Sequence, residues 1–196
     1  MLKEKLKNHR IILASGSPRR HQFLKELEIP FIVEQKSVKE EYPEHLKASE
    51  ITEFLSELKA KIFLKKLKSQ DILITSDTIV WHKEEALGKP QTTSEAFKMI
   101  ESLSGCTHDV ITSVTFTTNK LQKTVNDTTK VTFKELSKYE IDYYIENFHP
   151  LDKAGAYGIQ EWIGLIGITR IEGSYFNVVG LPTHLVYKTL LEIASY

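Results

Sequence analysis

A short segment of the sequence combines small residues, a helix start and two arginines. Residues 13–20 read LASGSPRR and follow an apolar pair. The pattern predicts a strand that ends in a small-residue loop, with Ser17 as a helix N-cap and Pro18 in the first helical position. Because the free N–H groups at a helix N-terminus bind anions, this segment is a candidate phosphate site. Arg19 and Arg20 would complete that site through bidentate contacts to phosphate oxygens, and the alternative is that both arginines are solvated.

A single carboxylate interrupts an apolar run further along the chain. Asp77 lies within the segment ILITSDTIVW. A buried carboxylate is costly unless it is paired, hydrogen-bonded or bound to a metal. Two interpretations stay open: Asp77 and Thr78 mark a bend in a strand, or Asp77 ligates a divalent ion or takes a proton from water beside a phosphate.

Two further segments have residue types suited to binding a nucleotide. Lys89 is held between Gly88 and Pro90, and a lysine in such a turn either faces water or binds phosphate as a point charge. Residues 152–160 read DKAGAYGIQ, whose small residues allow the backbone to approach a flat ligand closely. The amide of Gln160 can both donate to and accept from a base edge. By contrast, Cys106 and its neighbours lack the four-ligand spacing of a zinc site.

The elements that must position these residues follow from apolar periodicity and capping signals. Strands are expected near residues 10–15, 31–33, 71–81, 108–118 and 121–133, and helices over residues 18–27 and 49–67. Capping pairs predict one helix from Thr92 and Glu95 to Leu103, with Gly105 as its C′ residue, and another from Ser137 and Glu140 through residue 145. Segments 163–171 and 175–179 are expected to pair as strands around a turn at 172–174, and Pro182 to open a last helix.

This mixed order of elements predicts an α/β fold with a long, mixed, twisted β-sheet flanked by helices. There is no repeat, low-complexity tract or evident linker, so residues 1–196 are expected to form a single domain. Two lobes with a cleft between them are compatible with this architecture.

Composition limits the classes of protein to consider. The 196 residues are 41% hydrophobic and include 26 basic and 26 acidic residues, so the formal net charge is zero. This balance disfavours nucleic-acid binding, and any anion site must be made locally. The single cysteine fits a reducing compartment. The N-terminal segment lacks a signal-peptide pattern and no apolar run approaches a membrane span, so a cytoplasmic protein without membrane association is expected.

Taken together, these blocks resemble the Maf family of nucleoside triphosphate pyrophosphatases. The similarity extends over nearly the whole chain and rests on ordered motifs. These are IILASGSPRR at 11–20, SDTIV at 76–80, GKP at 88–90, LSG at 103–105, DKAGAYGIQ at 152–160 and GLP at 180–182. The resemblance implies a Maf/ITPase-like fold. It also implies cleavage of a nucleoside triphosphate to the monophosphate and pyrophosphate with Mg²⁺ or Mn²⁺, a house-cleaning role in nucleotide pools, and in many members a homodimer.

The resemblance also implies roles for individual residues. Asp77 becomes the proton acceptor, while Ser15, Arg20 and Lys89 hold the polyphosphate. Glu40 becomes a catalytic or metal-site carboxylate together with Asp77, with Glu41 as its alternative. Lys59 becomes a further catalytic cation, whereas its position beside an apolar helix stripe by itself favours packing of its stem.

Three positions point to one branch of the family. Arg19, Thr78 and Gln160 match the pattern of the branch that acts on dTTP and UTP, and a 7-methyl-GTP branch carries other residues there. Thr78 and Gln160 are therefore expected to recognise the O4/N3 edge of thymine or uracil. Glu161 and Trp162 depart from the small residues usual after this motif. The alternative function is a nucleotide-binding regulator of cell division or septum formation in which catalysis is not required.

Overall fold

A computed structural model describes residues 1–195, in which seven strands form one mixed sheet. The strands are β1 (Arg10–Leu13), β2 (Phe31–Val33), β3 (Asp71–His82), β4 (Glu85–Leu87), β5 (Thr107–Thr117), β6 (Gln122–Phe133) and β7 (Ile168–Glu172). Their order is β2-β1-β3-β5-β6-β7, and β4 pairs with β3 outside this path. Parallel and antiparallel pairs both occur, so the predicted mixed α/β sheet is confirmed.

Eight α-helices flank the sheet within the described residues. They are α1 (Leu2–Lys5), α2 (Pro18–Glu26), α3 (Ser49–Lys61), α4 (Thr93–Leu103), α5 (Lys138–Phe148), α6 (Trp162–Gly167), α7 (Tyr175–Val179) and α8 (Thr183–Ile193). Short 3₁₀ turns lie at Leu64–Lys66, Pro150–Asp152 and Ala154–Ala156. Over residues 1–195, none of the helices has the length and apolar character needed to cross a membrane.

The chain divides into two compact units. The first comprises Met1–Asp77, Thr112–Asp127 and Gly180–Tyr196, and the second comprises Thr78–Ile111 and Thr128–Val179. Strands β3, β5 and β6 contribute residues to both units. The expectations of one domain over 1–196 and of a cleft stay predictions.

In the first unit, β1 lies between two parallel neighbours. Ile11 is in register with Phe31 of β2 and with Ile72 of β3. One buried cluster joins Ile12 of β1 and Leu73 of β3 to the C-terminal end of α3 and the turn after it, through Ala60 and Phe63. Burial of these side chains fixes α3 against the sheet, and α3 is the helix that carries Lys59.

In the second unit, two antiparallel pairs frame the functional segments. Strand β3 turns into β4 through Lys83 and Glu84, which both have positive φ, as expected of a tight hairpin. Strand β6 pairs with β7. The rings of Phe133 and Tyr157 pack edge to face with centroids 5.0 Å apart, so the segment that contains DKAGAYGIQ is fixed to the sheet.

Local capping signals predicted several helix ends correctly. Ser137 accepts a hydrogen bond from the Glu140 N–H while the Glu140 carboxylate accepts from the Ser137 N–H, which is a complete capping box. The Thr92 hydroxyl accepts from the Glu95 N–H at 3.1 Å, although the Glu95 carboxylate accepts from residue 91 instead. After α4, Gly105 has φ +66°, the left-handed conformation that ends many helices.

Two predicted elements were wrong. Helix α3 ends at Lys61 rather than residue 67, because the chain tightens into the 3₁₀ turn that follows. The hairpin expected over residues 163–179 is instead α6, β7 and α7. The buried Asn177 explains α7: its amide donates to the Val110 carbonyl and the Thr129 hydroxyl, and its N–H donates to the Ser174 hydroxyl. These long-range contacts fix a helical turn where the sequence pattern favours a strand.

Candidate active site

Arg20, in the first turn of α2, turns back toward the loop that precedes its helix. Its Nε donates to the Gly180 carbonyl at 2.8 Å, and its Nη1 donates to the Ser76 carbonyl at 3.0 Å and to the Ser15 hydroxyl at 3.4 Å. Two hydrogen bonds to carbonyl oxygens fix the guanidinium beside the residue that precedes Asp77. The structure thus brings Ser15 and Arg20 together.

The loop before α2 is organised by Ser15 rather than by Ser17. Ser17 occupies the predicted N-cap position, but its side chain makes no cap hydrogen bond. Its N–H donates to the Ser15 hydroxyl at 3.2 Å, and the His21 ring lies 2.6 Å from the Ser15 carbonyl oxygen. Arg19 is half-buried in the same turn, and its charge lowers the pKa of Arg20, a smaller effect than desolvation.

Two carboxylates meet at one lysine in the first unit. Lys59 of α3 forms an ion pair with Asp77 of β3, and its Nζ lies 3.0 Å from Glu40 Oε1. Glu40 comes from the irregular segment before α3, whereas its neighbour Glu41 pairs with Lys39 on the surface. The geometry therefore groups Glu40, Lys59 and Asp77 and leaves Glu41 outside the group.

Asp77 has the electrostatic character of a base. The residue is only 7% exposed, and burial, with a smaller effect from Glu40, raises its pKa above the ordinary carboxyl value. Lys59 and Arg20 oppose this rise because both favour the ionised form. A carboxylate made more basic by burial, with two cations beside it, is suited to accept a proton. Asp77 lies inside one continuous strand, β3, whose neighbouring residues 76 and 79 are also buried.

These residues provide a limited donor set for a divalent cation. Residues 1–195 contain no cluster of three or more His, Cys, Asp or Glu side chains able to hold a metal ion. Mg²⁺, however, is commonly held by one or two carboxylates while phosphate and water oxygens complete its octahedron. Asp77 and Glu40, which contact the same ammonium group, fit that pattern.

Three predicted residues belong to the second unit. Thr78 is half-buried, and Lys89 and Gln160 are exposed. The Gly155 N–H donates to the Gly88 carbonyl at 3.0 Å, which places the GKP turn beside the DKAGAYG loop. Gly155 has φ +65°, and a Cβ there would lie 2.7 Å from a Val80 methyl carbon, so this contact requires glycine.

A hydrogen-bonded group next to Gln160 was not foreseen from the sequence. The Tyr144 hydroxyl donates to Glu161 Oε2 and accepts from the Gly158 N–H at 3.0 Å. Lys153 Nζ contacts Asp152 Oδ1 at 2.6 Å and Glu161 Oε1 at 3.1 Å. Burial and the neighbouring Glu161 raise the pKa of Tyr144, so its hydroxyl stays a donor. The sequence signal was the unusual residue pair 161–162; the tyrosine lies on another helix and gave none.

Comparison with known proteins agrees with the geometry. The family described as Maf-like protein matches residues 10–193. The chain is 63% identical over 195 residues to the dTTP/UTP pyrophosphatase of Christiangramia forsetii, with 100% of each chain covered. It is 60% identical over 190 residues to the dTTP/UTP pyrophosphatase of Flavobacterium johnsoniae, with 97% of this chain and 98% of that one covered. The Staphylococcus aureus Ham1 protein shares the fold, with a TM-score of 0.52 at 14% identity over 94% of this chain and 99% of that chain. This chain belongs to the Maf-like protein family.

Proposed function

We propose that this chain hydrolyses dTTP and UTP to the nucleoside monophosphate and pyrophosphate. The observation that carries the proposal is the buried Asp77, which is ion-paired with Lys59 and acted on by the charge of Arg20, with Glu40 beside the same lysine. The relatives that are 63% and 60% identical over essentially the whole chain bear the name of this activity. Modified uridine triphosphates are further candidate substrates.

The reaction requires a water molecule, a base and stabilisation of a leaving group. Asp77 accepts a proton from water, whose oxygen attacks the α-phosphorus while the bond from that phosphorus to the bridging oxygen breaks. Pyrophosphate leaves with the bridging oxygen, and the monophosphate keeps the oxygen of water. In phosphoryl chemistry, positioning and neutralisation of charge supply most of the catalysis. Arg19, Arg20 and Lys59 neutralise charge on the polyphosphate, and Ser15 donates a hydrogen bond to it.

We further propose that Asp77 and Glu40 hold Mg²⁺ or Mn²⁺ with the substrate. When bound, the metal neutralises phosphate charge and polarises phosphate oxygens. The catalytic role of Lys89 and the base-recognition roles of Thr78 and Gln160 rest on their places in the shared motifs. The Gln160 amide complements the O4/N3 edge of uracil or thymine, which presents one acceptor and one donor.

The nucleoside triphosphate is the partner that the proposal requires. The protein is proposed to act in the cytoplasm, without nucleic-acid or membrane partners, in the house-cleaning of nucleotide pools. A homodimer is a further prediction, and sedimentation equilibrium would check it. The alternative function as a regulator of cell division is not favoured, because the relatives carry the name of a catalytic activity.

Product analysis in labelled water tests the proposal. The purified protein is incubated in H₂¹⁸O with Mg²⁺ and one nucleotide at a time, which is dTTP, UTP, CTP, ATP, GTP or 7-methyl-GTP. The products are separated by anion exchange, and their masses are measured by mass spectrometry. The expected result is fastest turnover of dTTP and UTP, with ¹⁸O in the monophosphate and none in pyrophosphate. Release of orthophosphate, label in pyrophosphate, or no turnover of either pyrimidine nucleotide would contradict the proposal.

A further inference from the structure

The segment from residue 158 to residue 161 is closed by hydrogen bonds at both ends. The Glu161 N–H donates to the Gly158 carbonyl at 3.0 Å, and the Gly158 N–H donates to the Tyr144 hydroxyl at 3.0 Å. The same hydroxyl donates to Glu161 Oε2. One tyrosine of α5 therefore contacts the first and the last residue of this turn, and Gln160 lies between them with its side chain exposed.

Both carboxylate oxygens of Glu161 are engaged. Oε2 accepts from Tyr144, and Oε1 lies 3.1 Å from the Lys153 ammonium, whose side chain is 8% exposed. Glu161 is also the N-cap residue of α6, yet its side chain makes no cap hydrogen bond. The carboxylate is thus directed away from its own helix and toward the turn that carries Gln160.

The side chains of Gln160 and Glu161 both lie close to the backbone at Gly158. A Cβ at Gly158 would lie 2.8 Å from Glu161 Cδ and 2.9 Å from Gln160 Nε2. The Gln160 amide and the Glu161 carboxyl group therefore both pack against the same backbone position. Both groups lie within 3 Å of this one Cβ position, so they are neighbours there.

We propose that Glu161, held by Tyr144 and Lys153, is a positioning residue that sets the orientation of Gln160 for recognition of the uracil or thymine edge. The inference rests on the proposed function, because it assigns Gln160 to the base. Glu161 touches no reacting atom in this proposal; it acts through the backbone of the turn and through the space beside Gly158. Its loss should therefore affect binding and choice of base more than the chemical step.

Steady-state kinetics with UTP and CTP test the inference in four variants. Glu161→Ala removes both contacts, Glu161→Gln keeps an acceptor for Tyr144 but removes the charge facing Lys153, and Tyr144→Phe removes only the hydroxyl. Glu146→Ala, at an exposed position of α5, is the matched control. In Glu161→Ala we expect the KM for UTP to rise about tenfold with kcat within about twofold, and the preference for UTP over CTP to fall about fivefold or more.

The other variants separate positioning from general destabilisation. Tyr144→Phe should shift KM and base preference in the same direction, and the Tyr144→Phe/Glu161→Ala pair should be no worse than Glu161→Ala alone, because both remove one network. Hydrogen exchange of the peptide covering residues 157–162 should become faster in these variants and not in Glu146→Ala. If Glu161→Ala fails to fold, Glu161→Gln and Tyr144→Phe decide the question.

The outcomes distinguish failure of the inference from failure of the proposed function. An unmodified protein that turns over UTP, with Glu161→Ala unchanged in KM and in base preference, would overturn the inference alone. A loss confined to kcat would also overturn it. An unmodified protein that neither hydrolyses UTP nor binds its α,β-methylene analogue would refute the proposed function and with it the role assigned to Glu161.

Discussion

Replacing Asp77 by asparagine separates catalysis from stability in the first unit. The change removes the proposed base but keeps the shape of the side chain and an oxygen that can accept from Lys59. A positioned general base contributes about 10²- to 10⁴-fold to a rate. We therefore expect kcat/KM for UTP to fall by that factor, equivalent to about 3–5 kcal/mol of transition-state stabilisation.

The same substitution should cost little stability. Lys59 loses a charged partner but keeps Glu40 at 3.0 Å, and its side chain is 17% exposed, so water reaches it. Burial already disfavours the ionised carboxylate, as the raised pKa of Asp77 records, so removing the charge also removes a cost. We expect a change in unfolding free energy within about 1 kcal/mol, or about 2–4 °C in Tm for a chain of this length.

Two measurements on three proteins check this reasoning. Initial rates of pyrophosphate release and thermal unfolding are compared for Asp77→Asn, Glu40→Gln and the matched control Glu41→Gln, whose parent residue is exposed and pairs with Lys39. Glu41→Gln should retain activity within about twofold, whereas the other two should lose it. An Asp77→Asn protein with near-normal kcat/KM would remove Asp77 from its role. A large fall in Tm would show that the residue is primarily structural.

Three further predictions follow from the second unit. Burial lowers the pKa of His108 from 6.5 to about 3, so stability is lost as pH falls from about 6.5 toward 3. Between about pH 7 and about pH 5, the unfolding free energy measured with urea should therefore fall by roughly 2 kcal/mol more in the native sequence than in His108→Gln. Gly155→Ala places a methyl group 2.7 Å from Val80 at φ +65° and should lower stability by about 2–4 kcal/mol. Gly88→Ala, with open space around it, should change stability by less than about 1 kcal/mol, and equal thermal shifts in the two variants would contradict this reasoning. Gln160→Glu should reduce kcat/KM for UTP relative to GTP by about tenfold or more, measured on the nucleotide panel, because a carboxylate cannot donate to the base.

The parts of the fold that were predictable depend on neighbours in sequence. Ser137 and Glu140 are three residues apart, and their capping box formed as the pattern indicates. The same holds for Gly105 after α4. The wrong elements lie elsewhere. In α7, Asn177 donates to Val110 and Thr129, which are distant in sequence. In α6, a Cβ on Gly164 would lie 1.8 Å from the Ile159 carbonyl oxygen, an approach that glycine permits and that residue periodicity does not indicate. Runs rich in isoleucine favour a strand in the absence of that information.

In the candidate site, too, local patterns indicated some residues, whereas contacts between distant residues were not indicated. The motifs singled out Ser15, Arg20 and Asp77 as candidates, because residue type and spacing carry that signal. They did not predict that Arg20 would donate to the carbonyl of Gly180, which lies 160 residues away. Nor did they predict the contact of Tyr144 with Glu161. Such partners depend on how the elements pack, and a single sequence contains no local pattern for that.

Lys59 stabilises the buried carboxylate that is proposed as the base, in a chain with no net charge. Burial makes Asp77 more basic because it disfavours the ionised carboxylate. Lys59 opposes burial by direct contact with Asp77, and it also holds Glu40, whose charge acts in the other direction. Arg20 acts in the same direction as Lys59, because its positive charge also favours the ionised form of Asp77. In the proposed reaction, Lys59 thus holds both carboxylates in place before the polyphosphate binds, which would leave little reorganisation to the reaction.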